Sequence, residues 1–337
     1  MPVLLKELVS LAAPSGFEDE VREFIKKHAV CDEMYTDTMG NLICHKKGSG
    51  KKIMVAAHMD EVGFIITEIT DSGFLKFANL GGIETKVLSG KKVLIGKERI
   101  PGIIGAKAIH LQKREDVFTP LKIKDLYIDI GAKDKESAKK LVELGEYAVF
   151  DGEYTEFGDN LVKSRALDDR TGCAVMLELM KEEYHDDMYF VFTVQEEVGL
   201  RGARVCTHAI KPEIALVIEG TTCSDVYGSK PHNQVTNLGG GAVMTAMDGA
   251  AISDRKYFDF IMNAAIENNI PLQIKRTAAG GTDAGAIQRS GIGVKTAVLA
   301  TPCRYIHSPV SVMCKKDLES VYELSKVILK TIGRSNL

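Results

Sequence analysis

Apolar positions change their spacing along the chain, and each change predicts a different kind of structure. From Val3 to Leu11 they recur at helical intervals until Pro14-Ser15-Gly16 interrupts them. Val21, Phe24 and Ile25 predict a second amphipathic helix, with Ser15 or Glu18 as its cap. Apolar runs over 41–45 and 52–57 predict strands, the second leading into His58-Met59-Asp60. Over 64–159 the segments are short and β-rich (64–69, 74–77, 92–95, 99–104, 126–130), broken by turns such as Gly81-Gly82, with one helix over 135–144. That pattern predicts a small β-barrel or sandwich. Beyond 160 the alternation is regular. Strands are predicted over 188–194, 214–218, 242–247, 272–275 and 294–299, and helices over 168–180, 200–206, 254–267 and 283–288. A closing helix carries Leu318, Val321, Leu324, Val327 and Ile328. The expected architecture is α/β: a mainly parallel central sheet flanked by helices, built from 1–63 and 160–337, with 64–159 inserted as a separate β-rich domain.

Ligand sites in such sheets collect at the carboxyl ends of strands, where His58, Glu196, Glu197 and Glu219 all fall. Taken singly each has a plain reading: Glu196-Glu197 as an exposed acidic turn, Asp168-Asp169 as a helix cap, Glu219 as a turn acid. His28, His45, His110, His185, His208 and His232, with Glu115, read as surface residues. As a set, His58, Asp168, Glu197, Glu219 and His307 supply two imidazoles and three carboxylates, which suit zinc, cobalt or manganese. The arithmetic fits two ions, each with one histidine and one acid, and Asp168 as the bridge. Asp60 would then accept the other ring N–H of His58, and Glu196 would stay free to move a proton.

Composition narrows the function classes. With 337 residues the chain can bury a large core, and 45% hydrophobic against 26% charged residues is ordinary for a globular protein. A net charge of -3 gives no electrostatic case for nucleic acid or an anionic membrane. No apolar segment approaches the ~20 residues that span a bilayer, and no signal-peptide pattern is seen. Seven cysteines without a C-x-x-C pair predict reduced thiols in a cytoplasmic protein, not a thiolate zinc site.

Several motifs carry a family resemblance: Ala13-Pro14-Ser15-Gly16-Phe17-Glu18, Ala57-His58-Met59-Asp60-Glu61-Val62-Gly63, Arg165-Ala166-Leu167-Asp168-Asp169-Arg170, Gln195-Glu196-Glu197-Val198-Gly199, Gly280-Gly281-Thr282-Asp283-Ala284 and Arg304-Tyr305-Ile306-His307-Ser308. Together they resemble the TET-type metallo-aminopeptidases, also called glutamyl or deblocking aminopeptidases or "cellulase M". The resemblance implies a zinc-peptidase-like fold and an enzyme that removes N-terminal residues from short peptides. It implies one zinc or cobalt ion on His58 and Glu219, a second on Glu197 and His307, Asp168 bridging, and Glu196 as general base. It also implies that the insertion dimerises and that dimers build a homododecamer. Many relatives carry aspartate where this chain has Glu219, which leaves Asp225 as the reserve ligand. Rival readings are a related dinuclear amidohydrolase or carboxypeptidase, an endoglucanase-type glycoside hydrolase working through two carboxylates, and a non-catalytic assembly protein. The glycosidase reading leaves His58 and His307 without a task.

Overall fold

The structure, a computed structural model, describes residues 4–111, 121–278 and 280–335. One large sheet runs in the order Glu33–Thr36, Leu42–Lys46, Asp187–Thr193, Lys52–His58, Ile214–Thr222, Lys295–Arg304, Ser311–Cys314, Leu161–Ser164, Thr155–Phe157. Ala242–Thr245 pairs with Lys295–Arg304 away from this path and carries Leu272–Ile274 beside it. The middle of the sheet is parallel, from Asp187–Thr193 through Lys52–His58 and Ile214–Thr222 to Lys295–Arg304. The flanking strands on this path are antiparallel, so the sheet is mixed around a parallel centre.

Alternation along the central strands divides the core between two faces. Ile53, Val55 and Ala57 pack with Leu216 and Ile218 against helices Leu5–Ser10, Asp19–His28, Leu167–Leu179, Arg255–Glu267 and Lys315–Thr331. Met54, Ala56, Ala215 and Val217 face Arg201–Ile210 and Ala284–Gln288 on the other side. None of the helices among the described residues is long and apolar enough to cross a membrane.

The β-rich segment forms a closed barrel of six strands: Gly63–Ile69, Leu75–Leu80, Leu126–Asp129, Ile100–Ala106, Lys92–Ile95 and Tyr147–Phe150. Its core centres on Phe64, whose ring meets Phe77 and Phe150 edge-on. The helix expected over 135–144 stops at Lys139, because the Ala138 carbonyl accepts from both Leu141 and Val142 and the chain then turns. His110 is exposed; Glu115 lies outside the described residues. The strand expected to end at Glu219 continues to Thr222, since Lys295–Arg304 pairs with it along its whole length. The short strands Glu33–Thr36, Leu161–Ser164 and Ser311–Cys314 have too few alternating apolar positions to stand out in the sequence.

A buried ionic group ties three segments together. Glu61 accepts from Arg165 through both its oxygens, from Arg170 at 3.2 Å and from the Ala13 amide at 3.1 Å. Arg165 also donates to the carbonyls of Ser10 and Leu11, and Arg170 to those of Leu8 and Met59. Arg170 and Glu61 are buried, so removing one partner strands a charge away from water. Glu61→Gln is expected to cost about 3 kcal/mol of stability, measured by urea unfolding; a loss near zero would show that these three side chains are not coupled.

Candidate metal centre

The parallel strands deliver their carboxyl ends to one edge of the sheet. His58 is the last residue of Lys52–His58 and stands opposite Thr193, the last of its neighbour. On the other side Val217 pairs with Ala56, and continuing that register brings Glu219 level with His58. His307 follows three residues after Lys295–Arg304.

Two groups of donors meet there. His58, Asp168 and Glu219 offer ligand atoms that all lie within 4.8 Å of one another, and so do Asp168, Glu197 and His307. Asp168 belongs to both groups, and its two oxygens point apart. Oδ1 is 3.4 Å from His58 Nε2 and Oδ2 is 3.5 Å from His307 Nε2. Glu219 lies 3.0 Å from His58 Nε2, and Glu197 lies 3.2 Å from His307 Nε2. Asp168 Oδ1 is buried and accepts no hydrogen bond.

Local backbone explains how each group arrives. The Leu167–Leu179 helix is entered through Ala166 at φ +54°, and Asp168 itself is extended, at φ -86° and ψ 111°. Asp169 takes the capping role, accepting from the Gly172 amide at 3.0 Å, which releases Asp168 to the cluster. Glu219 is followed by Gly220, where a Cβ would stand 2.8 Å from Asp168 Oδ1. Only glycine leaves room for the shared carboxylate.

Glu196 and Glu197 both face this region because the chain bends at Gln195, with φ +56°. Four successive amides then find side-chain acceptors. Val194 donates to Asn41 Oδ1, Gln195 to Glu18, and Glu196 and Glu197 to the two oxygens of Asp60 at 3.0 and 3.2 Å. Asp60 serves this turn and His58 together. His58 Nδ1 meets the Asp60 backbone carbonyl at 2.9 Å, with the carboxylate farther away at 3.5 Å. An N–H donated there leaves the Nε2 lone pair facing Asp168 and Glu219. Beside His58, the Asp60 carboxylate also holds the 195–197 turn and accepts from Ser15.

Asp225, the reserve ligand, is elsewhere: it binds Arg304 bidentately at 2.7 and 2.8 Å and caps the Leu238 amide. Sequence reasoning missed Glu18, Asn41, Gly220 and Lys275. Motif spacing carries no sign of the first three, which act by capping or by lacking a side chain. Lys275 lines the cleft, and burial lowers the pKa of its amine.

The cleft over these groups encloses about 650 Å³. Its floor is short of positive charge. Burial, then the neighbouring Glu219, Asp283 and Glu197, pushes the Glu196 carboxyl well above its ordinary range. Burial and the charge of Asp168 push Glu219 up to about 8 despite His58. Both imidazoles are driven up against the effect of their burial, His58 chiefly by Glu219 and His307 to about 11 by Asp168 and Glu197. Carboxylates in excess over imidazoles, with an unpartnered oxygen at the shared residue, fit a site for divalent cations.

The profile of the M42 glutamyl aminopeptidase family matches residues 40–324. A protein of Acetivibrio thermocellus described as an aminopeptidase is 39% identical over 325 residues, covering 95% of this chain and 96% of its own. An aminopeptidase structure from Desulfurococcus kamchatkensis superposes with a TM-score of 0.92 at 38% identity, over 97% of this chain and 93% of that one. The TET1 peptidase of Pyrococcus horikoshii, which assembles into a tetrahedron or a large octahedral shell, gives 0.86 at 35% identity over 96% and 98%. The chain belongs to the M42 family and is a peptide hydrolase.

Gly220→Ala pushes a methyl group onto Asp168. It is expected to weaken divalent-metal affinity roughly tenfold to hundredfold, read by competition against a chelating dye. An unchanged affinity would exclude Asp168 from the site.

Proposed function

We propose that this M42 aminopeptidase works through two divalent ions, zinc or cobalt with manganese as the third choice, held on either side of Asp168. His58 and Glu219 would hold one, Glu197 and His307 the other. The observation that carries the reading is the division of Asp168, one oxygen toward each histidine. When bound, such ions polarise the scissile carbonyl and make water a nucleophile near neutral pH.

The remaining steps belong to the chain's own groups. Glu196 is buried at the cleft floor, and its side chain lies in neither donor group. It takes the proton from the attacking water and returns it to the departing amine. Burial and the neighbouring carboxylates raise its pKa, which favours uptake of a proton. Asp60 acts as a positioning residue: it fixes the turn that points Glu196 and Glu197 into the cleft. A carboxylate of the floor would hold the free amine of a peptide beside the reacting carbonyl, which favours cleavage after the first residue.

The same reading divides the chain into a catalytic domain of 1–63 and 160–337 and an inserted domain of 64–159. The barrel strands themselves run from Gly63 to Phe150, and Thr155–Phe157 joins the large sheet. Ile103, Leu141 and Leu144 expose apolar surface on the inserted segment, which supports a role in self-association. Likeness to a TET1 structure with a dodecamer in its asymmetric unit supports a homododecamer, built from dimers in this reading. All seven cysteines are free, as suits a cytoplasmic enzyme.

Chelation should abolish hydrolysis of amino-acyl chromogenic substrates, and Zn²⁺ or Co²⁺ should restore it. Glu196→Gln should keep its metal by elemental analysis yet lose roughly 100-fold or more in kcat. Full activity after chelation would sink the proposal. For the assembly, Ile103→Glu with Leu144→Glu should yield a smaller particle by light scattering with an unchanged circular dichroism spectrum; an intact dodecamer would move the contact elsewhere.

A further inference from the structure

A second cavity of about 760 Å³ lies beside the metal cleft, and Gly199 and Leu200 line both. Its walls are the helices Arg201–Ile210 and Ala284–Gln288. Arg204, His208 and Arg289 line it, and no carboxylate does among the described residues. The side chains of Arg204 and His208 make no hydrogen bond or ion pair among the described residues. Arg289 donates through Nε to the Gly285 carbonyl at 2.7 Å. Arg201, on the same helix, is turned to Gln195.

The two cavities therefore have opposite charge. One holds Asp168, Glu196, Glu197 and Glu219, and its neighbour holds exposed guanidinium groups. The two cavities share Gly199, where a side chain would meet nothing within 4 Å. A short peptide is itself a dipole, with an ammonium at its first residue and a carboxylate at its last. Laid across Gly199 with its amine on the acidic side, it brings its carboxylate to the basic side. Guanidinium groups match a carboxylate in shape as well as in charge.

We infer that this basic groove is a subsite for the C-terminal carboxylate of short peptide substrates. The inference rests on the aminopeptidase reading given above. It assigns Arg204 and Arg289 a role in selecting peptides by length and by a free carboxyl end, outside the hydrolytic machinery. Bond cleavage itself does not involve them.

The test compares tri- to pentapeptides as free acids and as C-terminal amides. With the wild-type enzyme, amidation should raise KM roughly two- to fivefold, the range for exposed ion pairs, with kcat little changed. Arg204→Gln with Arg289→Gln should remove that difference, and Arg204→Glu with Arg289→Gln should reverse it. Amino-acyl chromogenic substrates, which have no carboxyl end, should be hydrolysed equally by all these variants. Equal KM for acid and amide in the wild type, or a difference that survives in the double variant, overturns the inference. Loss of chromogenic-substrate hydrolysis in the wild type would instead overturn the underlying aminopeptidase reading.

Discussion

Keeping Asp168, Glu196, Glu197 and Glu219 together in one enclosed cleft is the demand that shapes the surrounding structure. Like charges a few ångströms apart repel strongly when water is excluded, so each must be held by something other than its own preference. The chain meets this by anchoring backbone instead of neutralising the acids. Asp60 and Glu18 accept the amides of 195–197, and the Glu61, Arg165 and Arg170 group fixes the segments that lead to His58 and Asp168. The nearby arginines spend their donors on Glu61 and on carbonyls of the first helix and its exit, leaving the negative charge of the cleft for a cation.

Such anchoring has a local cost. Ala166, Gln195, Leu200, Tyr305 and His307 all adopt positive φ without being glycine, and all lie in segments that carry or flank the donors. Each such residue costs on the order of 1–3 kcal/mol, which persists only where surrounding bonds over-determine the backbone. The turn at Gln195 shows how: its neighbours on both sides donate to buried acceptors, so relaxing φ there would break several hydrogen bonds at once.

Much of this was legible in the sequence, and the reasons for the rest are physical. Periodicity located the central strands because parallel strands buried on both faces read as continuous apolar runs, as Lys52–His58 and Ile214–Thr222 do. The barrel was readable as short β segments with glycine turns. The fringe strands were not, because Glu33–Thr36 is exposed throughout and carries no alternation. At the site, residue type pointed to His58, Asp168, Glu197, Glu219 and His307, which the fold brings into two adjoining groups. Spacing placed Asp60 beside His58, but it does not reveal that the Asp60 backbone carbonyl lies nearer the ring than the carboxylate does, or that the carboxylate also holds the 195–197 turn. It also left open the choice between Glu219 and Asp225, which is decided by a distant partner: Arg304 claims Asp225.

The barrel is more than an appendage to the sheet, and the packing at its base shows why. Leu80 pairs with Gly63, five residues beyond His58, so the turn that follows it lies over the entrance to the cleft. A side chain at Gly81 would stand 2.9 Å from Val62 and 3.2 Å from Glu197, and one at Gly82 would stand 3.6 Å from His307. Gly81 is needed for the barrel to approach the donors this closely, whereas a methyl at Gly82 would make an ordinary contact. Residues 64–159 therefore hold few groups with chemistry of their own yet build part of the wall around it. A force that displaced the barrel against the sheet would press first on Glu197 and His307, the more exposed of the two donor groups. The position of the barrel and the geometry of the site are thereby connected through the Gly81-Gly82 turn.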